Sequence, residues 1–276
     1  LGFAPDSSFP LTYAEKGLLQ VKLHGPGWDD LPLQAGQALN VVPDKATYAG
    51  HRLEELLPVL DQSGVQYSQT ADSVTVLGVS KHSKDAAEGV NAIVGLAESL
   101  SLIQPHPALL FIADAVGEDA TGEALFGKIT DEPSGDLSFN LATLVIDQEQ
   151  SEIGIDIRIP VLADKDSLVA RLQEIAASYQ LEYEEFDYLA PLYVPLDSPL
   201  VSSLMAVYQE ETGDKTPAMS SGGATFARTM ENCVAFGALF PGAEQTEHQA
   251  NERAKIEDLY AAMEIYREAI QRLATT

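Results

Sequence analysis

The 276-residue sequence has a single cysteine, Cys233, so no disulfide forms within the chain and a reducing, cytoplasmic setting is expected. Basic residues are scarce, 16 against 42 acidic ones, giving a formal charge of −26. A field of that sign repels phosphate backbones and anionic lipid, which argues against nucleic-acid and membrane partners. No apolar run approaches the roughly 18 residues of a membrane span; stretches such as 108–113 have the length of core segments. The first residues carry no signal-peptide pattern. Several motifs are also missing. There is no His-x-x-x-His, no cysteine pair for a structural zinc and no Gly-x-Ser-x-Gly elbow, and Ser220-Ser221-Gly222-Gly223 lacks the Gly-Lys-Ser/Thr ending of a phosphate loop.

What is present reads as one or two globular domains. Residues 17–24 (GLLQVKLH) alternate as a strand, stopped at His24-Gly25-Pro26-Gly27, and a second short strand is expected at 38–42 before Pro43. Leu53, Leu56, Leu57 and Leu60 share one face of a helix over 50–62 that Ser63-Gly64 ends. Strands are expected at 65–70 and 73–79. A helix capped by Asp85 then runs to about Leu102, with Val90, Ile93, Val94, Ala97 and Leu100 inward. Residues 137–146 and 151–159 form a hairpin across the polar tract 147–150. A helix over 164–180 and an acidic edge strand over 182–188 follow. Pro191, Pro195 and Pro199 mark a boundary, after which Ser198 caps a helix to about Thr212 and a long amphipathic helix covers 251–273. The middle portion reads as an α+β layer, one sheet with helices on one face.

Three separated segments carry candidate chemistry. Asp6, between Pro5 and Pro10, reads either as a surface turn or as a placed carboxylate. His82, between a strand and a helix, reads either as a solvated loop residue or as a donor to a developing oxyanion. His248, flanked by acids before the last helix, reads either as a helix N-terminus suited to the macrodipole or as a zinc ligand oriented by carboxylates.

Taken in order, seven segments resemble one family. They are GFAPDSSFP at 2–10, the strand at 16–24, LNVVPD at 39–44, the stretch from His82 to Asn91-Ala92, GIDIRIP at 154–160, SSGGATFAR at 220–228 and FGALFPGAEQTEHQANE at 236–252. The whole chain resembles the dizinc dipeptidases of the Xaa-His dipeptidase type, in the metallopeptidase group that includes aminoacylase, carboxypeptidase G and carnosinase. The fold this implies is a zinc-exopeptidase α/β catalytic domain with an inserted α+β lid. Residues 1–15 would end the first half of the catalytic domain, 16–189 would be the lid, and 190–276 the second half.

The resemblance also implies roles. Asp6 would be a terminal carboxylate ligand to one zinc and His248 the terminal histidine ligand to the other, with manganese or cobalt as possible replacements. His82 would polarise the scissile carbonyl, with Asn40 near the same oxygen. Arg158 would take the C-terminal carboxylate of a dipeptide substrate. Ser221, Gly222 and Gly223 would wall the substrate site, and Arg228 would be either structural or functional. Ala86 replaces the family's usual proline four residues after the lid histidine. The family's His-x-Asp-x-x-Pro histidine, its bridging aspartate and its Glu-Glu pair precede the Asp6 segment, so they are expected upstream of Leu1 in a longer protein. On that reading this chain alone is inactive. Two other readings stand beside it: a non-catalytic peptide-binding or assembly module, and an N-acyl amino acid amidohydrolase.

Overall fold

A computed structural model describes residues 1–244, 246 and 251–275. The chain is a mixed α/β fold of two compact units, Leu1–Lys16 with Ala190–Thr276 and Gly17–Leu189. Among the described residues no helix is long and apolar enough to cross a membrane.

The Gly17–Leu189 unit is built on a five-stranded antiparallel sheet. Its order is Glu182–Leu189, Gly17–Pro26, Gln150–Ile159, Ser138–Ile146, Leu33–Ala35. Strand periodicity places Leu19, Val21 and Leu23 on one buried face. The central strand is buried on both faces, with Ile153, Ile155 and Ile157 in the core. Each such side chain contributes about 1.5–3 kcal/mol through removal from water. Leu168, Leu172 and Ala176 repeat every four residues along the Lys165–Ser178 helix and are buried. The Glu182–Leu189 strand is the sheet edge, and Glu182, Glu184, Glu185 and Asp187 make it a poor template for a further strand.

A second sheet in this unit orders Lys45–Tyr48, Val74–Leu77 and Tyr67–Gln69. Two helices accompany it, Leu53–Ser63 and the almost wholly buried Ala92–Ser101.

In the other unit, Gly2–Ala4, Cys233–Ala235, Thr12–Glu15 and Leu192–Tyr193 lie in that order, with Met219–Ser221 also pairing to Thr12–Glu15. Phe9 packs against Phe236 edge to face at 5.2 Å and stacks on Tyr208 at 5.3 Å. Ser198 caps the Pro199–Thr212 helix through Val201 N, as its sequence position predicts. The last helix is Ile256–Ala274, shorter at its start than the 251–273 pattern.

Four local expectations are corrected. The short strand is Leu33–Ala35, not 38–42; Gly36, at φ +79°, turns the chain away, and Val41 keeps only one bridge to His82. Asp85 caps nothing: Ser83–Glu88 is a 3-10 turn capped by His82, and Asn91 caps the following helix through Ile93 N and Val94 N. Val90 is consequently exposed rather than inward. The unit also has two main sheets instead of one, because the short Lys45–Tyr48 strand pairs with Val74–Leu77.

Gly36 and Gly64 separate two costs of a side chain. Both have positive φ, but a Cβ on Gly36 would sit 2.0 Å from the Ala142 carbonyl oxygen, whereas Gly64 faces open space. Gly64→Ala should cost about 1–2 kcal/mol from left-handed strain alone. Gly36→Ala should cost about 2–4 kcal/mol, adding the backbone clash. Equal shifts of the urea midpoint in the two variants would contradict this packing.

Candidate functional site

The sequence GIDIRIP puts Asp156 and Arg158 two residues apart on the central strand, hence on one face. Asp156 is fully buried and Arg158 is 4% exposed. Arg158 Nε donates to Asp156 Oδ1 at 2.6 Å and Nη2 to Oδ2 at 3.0 Å, a two-pronged ion pair. Gln20 Nε2 donates to Asp156 Oδ2 at 2.9 Å from the neighbouring strand.

Arg158 Nη2 also donates to Ser83 Oγ at 2.9 Å. Ser83 is buried and knits the corner together: its N–H donates to Asn40 O at 2.9 Å, and its carbonyl accepts from Ser138 Oγ. His82 is the preceding residue. Asn40, His82 and Arg158, named from separate segments of the sequence, therefore converge on one serine. Asn40 contributes its backbone to this arrangement, while its side chain is exposed.

His82 Nδ1 accepts from Lys84 N at 3.1 Å. That bond assigns the neutral ring proton to Nε2, so Nε2 is a donor. Packing around the ring, then the Arg158 guanidinium and then Lys84 hold its pKa below the ordinary imidazole value. A neutral imidazole with a fixed Nε2–H is suited to donate to an oxygen that gains charge.

The other unit brings together a second set. Glu15 is fully buried and accepts from Arg228 Nε and Nη2 at 3.1 and 3.0 Å and from Thr225 N at 3.0 Å. Arg228 also donates to the carbonyls of Ala190, Lys16 and Gly223 at 2.9, 3.1 and 3.1 Å. These bonds describe an anchor for the loop that follows Met219–Ser221. Within that loop Ser221 Oγ accepts from Gly223 N at 2.9 Å, and Ser221 O accepts from Lys16 N at 3.0 Å. Gly222 lies between them in the same turn. Asp6 is exposed, and its Oδ2 accepts from Phe226 N at 2.8 Å. Asp6 and the 221–223 loop are thus joined through 225–228.

His248 lies outside the described residues. Among the described residues no group of three or more His, Cys, Asp or Glu side chains is placed to hold a metal ion. Sequence reasoning missed Ser83, Asp156 and Glu15. The i, i+2 spacing to Arg158 could have revealed Asp156; the partners of the other two are 75 and 213 residues away.

The electrostatic coupling within the first set can be measured. A ring-proton NMR titration should show His82 as the Nε2–H tautomer at pH 7, with a pKa below about 6.5. Arg158→Gln should raise that pKa and Lys84→Gln should raise it less. A pKa unchanged in both folded variants would contradict the arrangement.

Against known proteins, the model of Peptidase family M20/M25/M40 matches residues 36–272. The Bacillus subtilis protein named "Putative dipeptidase YtjP" is 34% identical, with 99% of this chain and 64% of that protein covered. The Staphylococcus aureus (strain MW2) protein named "Putative dipeptidase MW1694" is 32% identical with the same coverage. The chain therefore spans a little under two thirds of the length of these curated relatives. Among solved structures, an aminoacylhistidine dipeptidase from Vibrio alginolyticus superposes with a TM-score of 0.51 at 11% identity, covering 95% of this chain and 63% of that one. Aminopeptidase PepT from Bacillus cereus gives 0.51 at 15% identity, covering 99% and 57%. At such identities the likeness is one of fold. The family match extends over most of the chain and both of its units, and the chain belongs to peptidase family M20/M25/M40.

Proposed function

We propose that this chain is part of a metal-dependent dipeptidase of the Xaa-His dipeptidase and carnosinase type, acting on short peptides with a free C-terminal carboxylate. The observation that carries the reading is the convergence of Asn40, His82 and Arg158 on Ser83. The names of the sequence relatives support the dipeptidase activity. In this reading Gly17–Leu189 is the lid, and the two flanking segments belong to the catalytic domain. A cytoplasmic location is part of the proposal and rests on the lone buried thiol of Cys233.

The described residues do not by themselves fit a pair of zinc ions. Asp6 is the one proposed ligand among them, its Oδ2 is already bonded to Phe226 N, and no cluster surrounds it. Zinc, manganese or cobalt would need ligands beyond this set, His248 included.

The chain's own residues have definable work. His82 Nε2–H donates to the carbonyl oxygen of the scissile bond as it gains negative charge, and Asn40 lies near that oxygen. Arg158 binds the substrate carboxylate. The Ser83 hydroxyl now bonded to Nη2 is a neutral acceptor, and an ionised carboxylate competes well for that edge because charge-assisted bonds are roughly twice as strong. Asp156 keeps the guanidinium plane fixed while this exchange occurs. Ser221, Gly222 and Gly223, held by Arg228, supply a backbone wall to the site.

A second reading is a peptide-binding module without catalysis. An enzyme of the relatives' full length carrying this sequence separates the two: metal-dependent dipeptide hydrolysis supports the first, and binding without turnover the second. In that enzyme His82→Ala should lower kcat by roughly 10²–10³-fold with little change in KM, because the donor acts on charge developed in the transition state. Near-normal turnover by His82→Ala would remove His82 from the mechanism. The 276-residue chain alone should hydrolyse no dipeptide with or without added zinc; metal-dependent activity of a pure preparation would contradict that expectation.

A further inference from the structure

The Ile256–Ala274 helix carries more apolar surface than its own unit covers. Ala262, Ile265 and Ala269 are buried, and Tyr266 stacks on Phe3 with ring centres 5.6 Å apart. Arg272 Nη2 ties the same helix to Glu210 Oε2 of the Pro199–Thr212 helix at 2.7 Å. Ile256, Leu259, Tyr260, Met263 and Ile270 are instead 51–66% exposed. At about 100° per residue these five fall in one stripe roughly 100° wide, centred about 120° from the buried face. Arg267 lies on this stripe, its head group held along the helix by Glu264 and Gln271, and its methylene stem adds apolar surface. The third face is polar, with Glu257, Glu264, Glu268 and Gln271. A surface helix normally has a single apolar stripe, the one that meets its core. Two apolar faces and one polar face are the pattern of a helix packed on two sides, and a contiguous exposed patch of this kind marks an interaction surface.

The sheet of the same unit is open beside this helix. Gly2–Ala4 is its outermost strand and pairs in parallel with Cys233–Ala235; among the described residues no strand takes its other edge. Its three residues are only half-buried. Parallel pairing is characteristic of sheets covered on both faces, and an open edge presents unpaired N–H and C=O groups. Met230 stands against this strand, since a Cβ on Gly2 would lie 3.4 Å from Met230 Cε, and it too is exposed. Phe3, the middle residue of the strand, is the one stacked on Tyr266, so the open edge and the doubly apolar helix are neighbours.

We propose that the stripe of Leu259, Tyr260, Met263 and Ile270 is an internal docking face, covered in a full-length protein by an amphipathic helix from the part of the relatives' length that this chain does not span. The Bacillus subtilis relative supplies the length: the match takes in 99% of this chain and 64% of that protein, which leaves about a third of it to cover such a face. Charge argues against a second copy as the occupant, because each copy carries −26 and the two would repel. A segment of the same polypeptide brings its apolar face at high effective concentration and without that cost. The proposal rests on the relatives' length and not on the dipeptidase reading.

The test compares the 276-residue chain with a full-length protein carrying this sequence. Dilute hydrogen peroxide is added to each under native conditions, and oxidation of the Met263 thioether is followed by peptide mass spectrometry. Met263 should oxidise at least about 10-fold more slowly in the full-length protein, at every protein concentration. Leu259→Glu combined with Met263→Glu should leave the urea midpoint of the 276-residue chain unchanged and lower that of the full-length protein, because only there do the new charges enter an apolar contact. The oxidation measurement needs no variant, so a double variant that fails to fold leaves the test intact. Equal oxidation rates in the two proteins would overturn the proposal. Protection that grows with protein concentration alongside a dimer mass would overturn it too, by making a second copy the occupant, as would a midpoint shift equal in the two proteins.

Discussion

Asp156 and Arg158 form an ion pair at the centre of the larger sheet, and the corner bearing His82 is tied to it. Burying two charges is costly, and their attraction compensates only when geometry and extra hydrogen bonds are good. Here both prongs of the guanidinium fork meet the carboxylate, Gln20 fills a further acceptor position from the next strand, and Ser83 takes a further donor. Removing one partner would leave an uncompensated buried charge, a loss of about 3–5 kcal/mol. After burial of the ring, the Arg158 guanidinium is the main influence favouring the neutral His82 imidazole, and the Asp156 carboxylate opposes it more weakly.

The Leu1–Lys16 and Ala190–Thr276 unit repeats this construction with different residues. Glu15, on a buried strand, holds Arg228, and Arg228 gathers carbonyls from Ala190, Lys16 and Gly223. The effect is to bind together the two ends of the chain segment that leaves and re-enters this unit, and to fix the loop after Ser221. The bonds of Arg228 go to three backbone carbonyls and to the buried Glu15 carboxylate. In both units a buried arginine–carboxylate pair makes flexible loop backbone definite, and the candidate side chains sit on that backbone.

Much of this was readable from periodicity. The alternation in 137–146 and 151–159 gave the hairpin, whose observed register runs from Ser138 opposite Arg158 to Ile146 opposite Ser151. The helix expected over 164–180 is Lys165–Ser178, and the helix expected from the Ser198 cap is Pro199–Thr212. What failed was short or set by tertiary contacts. Four residues at Lys45–Tyr48 are too few to show a period. The turn at Gly36 depends on the close approach of Ala142, more than 100 residues later. His82 acts as a cap because Ser83 is drawn toward Asn40 and Arg158, which local sequence does not encode. The candidate residues were legible individually, through family resemblance; the serine that joins three of them was not.

We propose that Arg158, oriented by Asp156, is the anion anchor of the substrate site. It is tested most directly by comparing a dipeptide with its C-terminal amide in an enzyme of the relatives' full length carrying this sequence. The parent should favour the free acid, and a folded Arg158→Gln variant should lose most of that preference through weaker use of the acid, with the amide little affected. An acid-over-amide ratio unchanged by Arg158→Gln would contradict the claim.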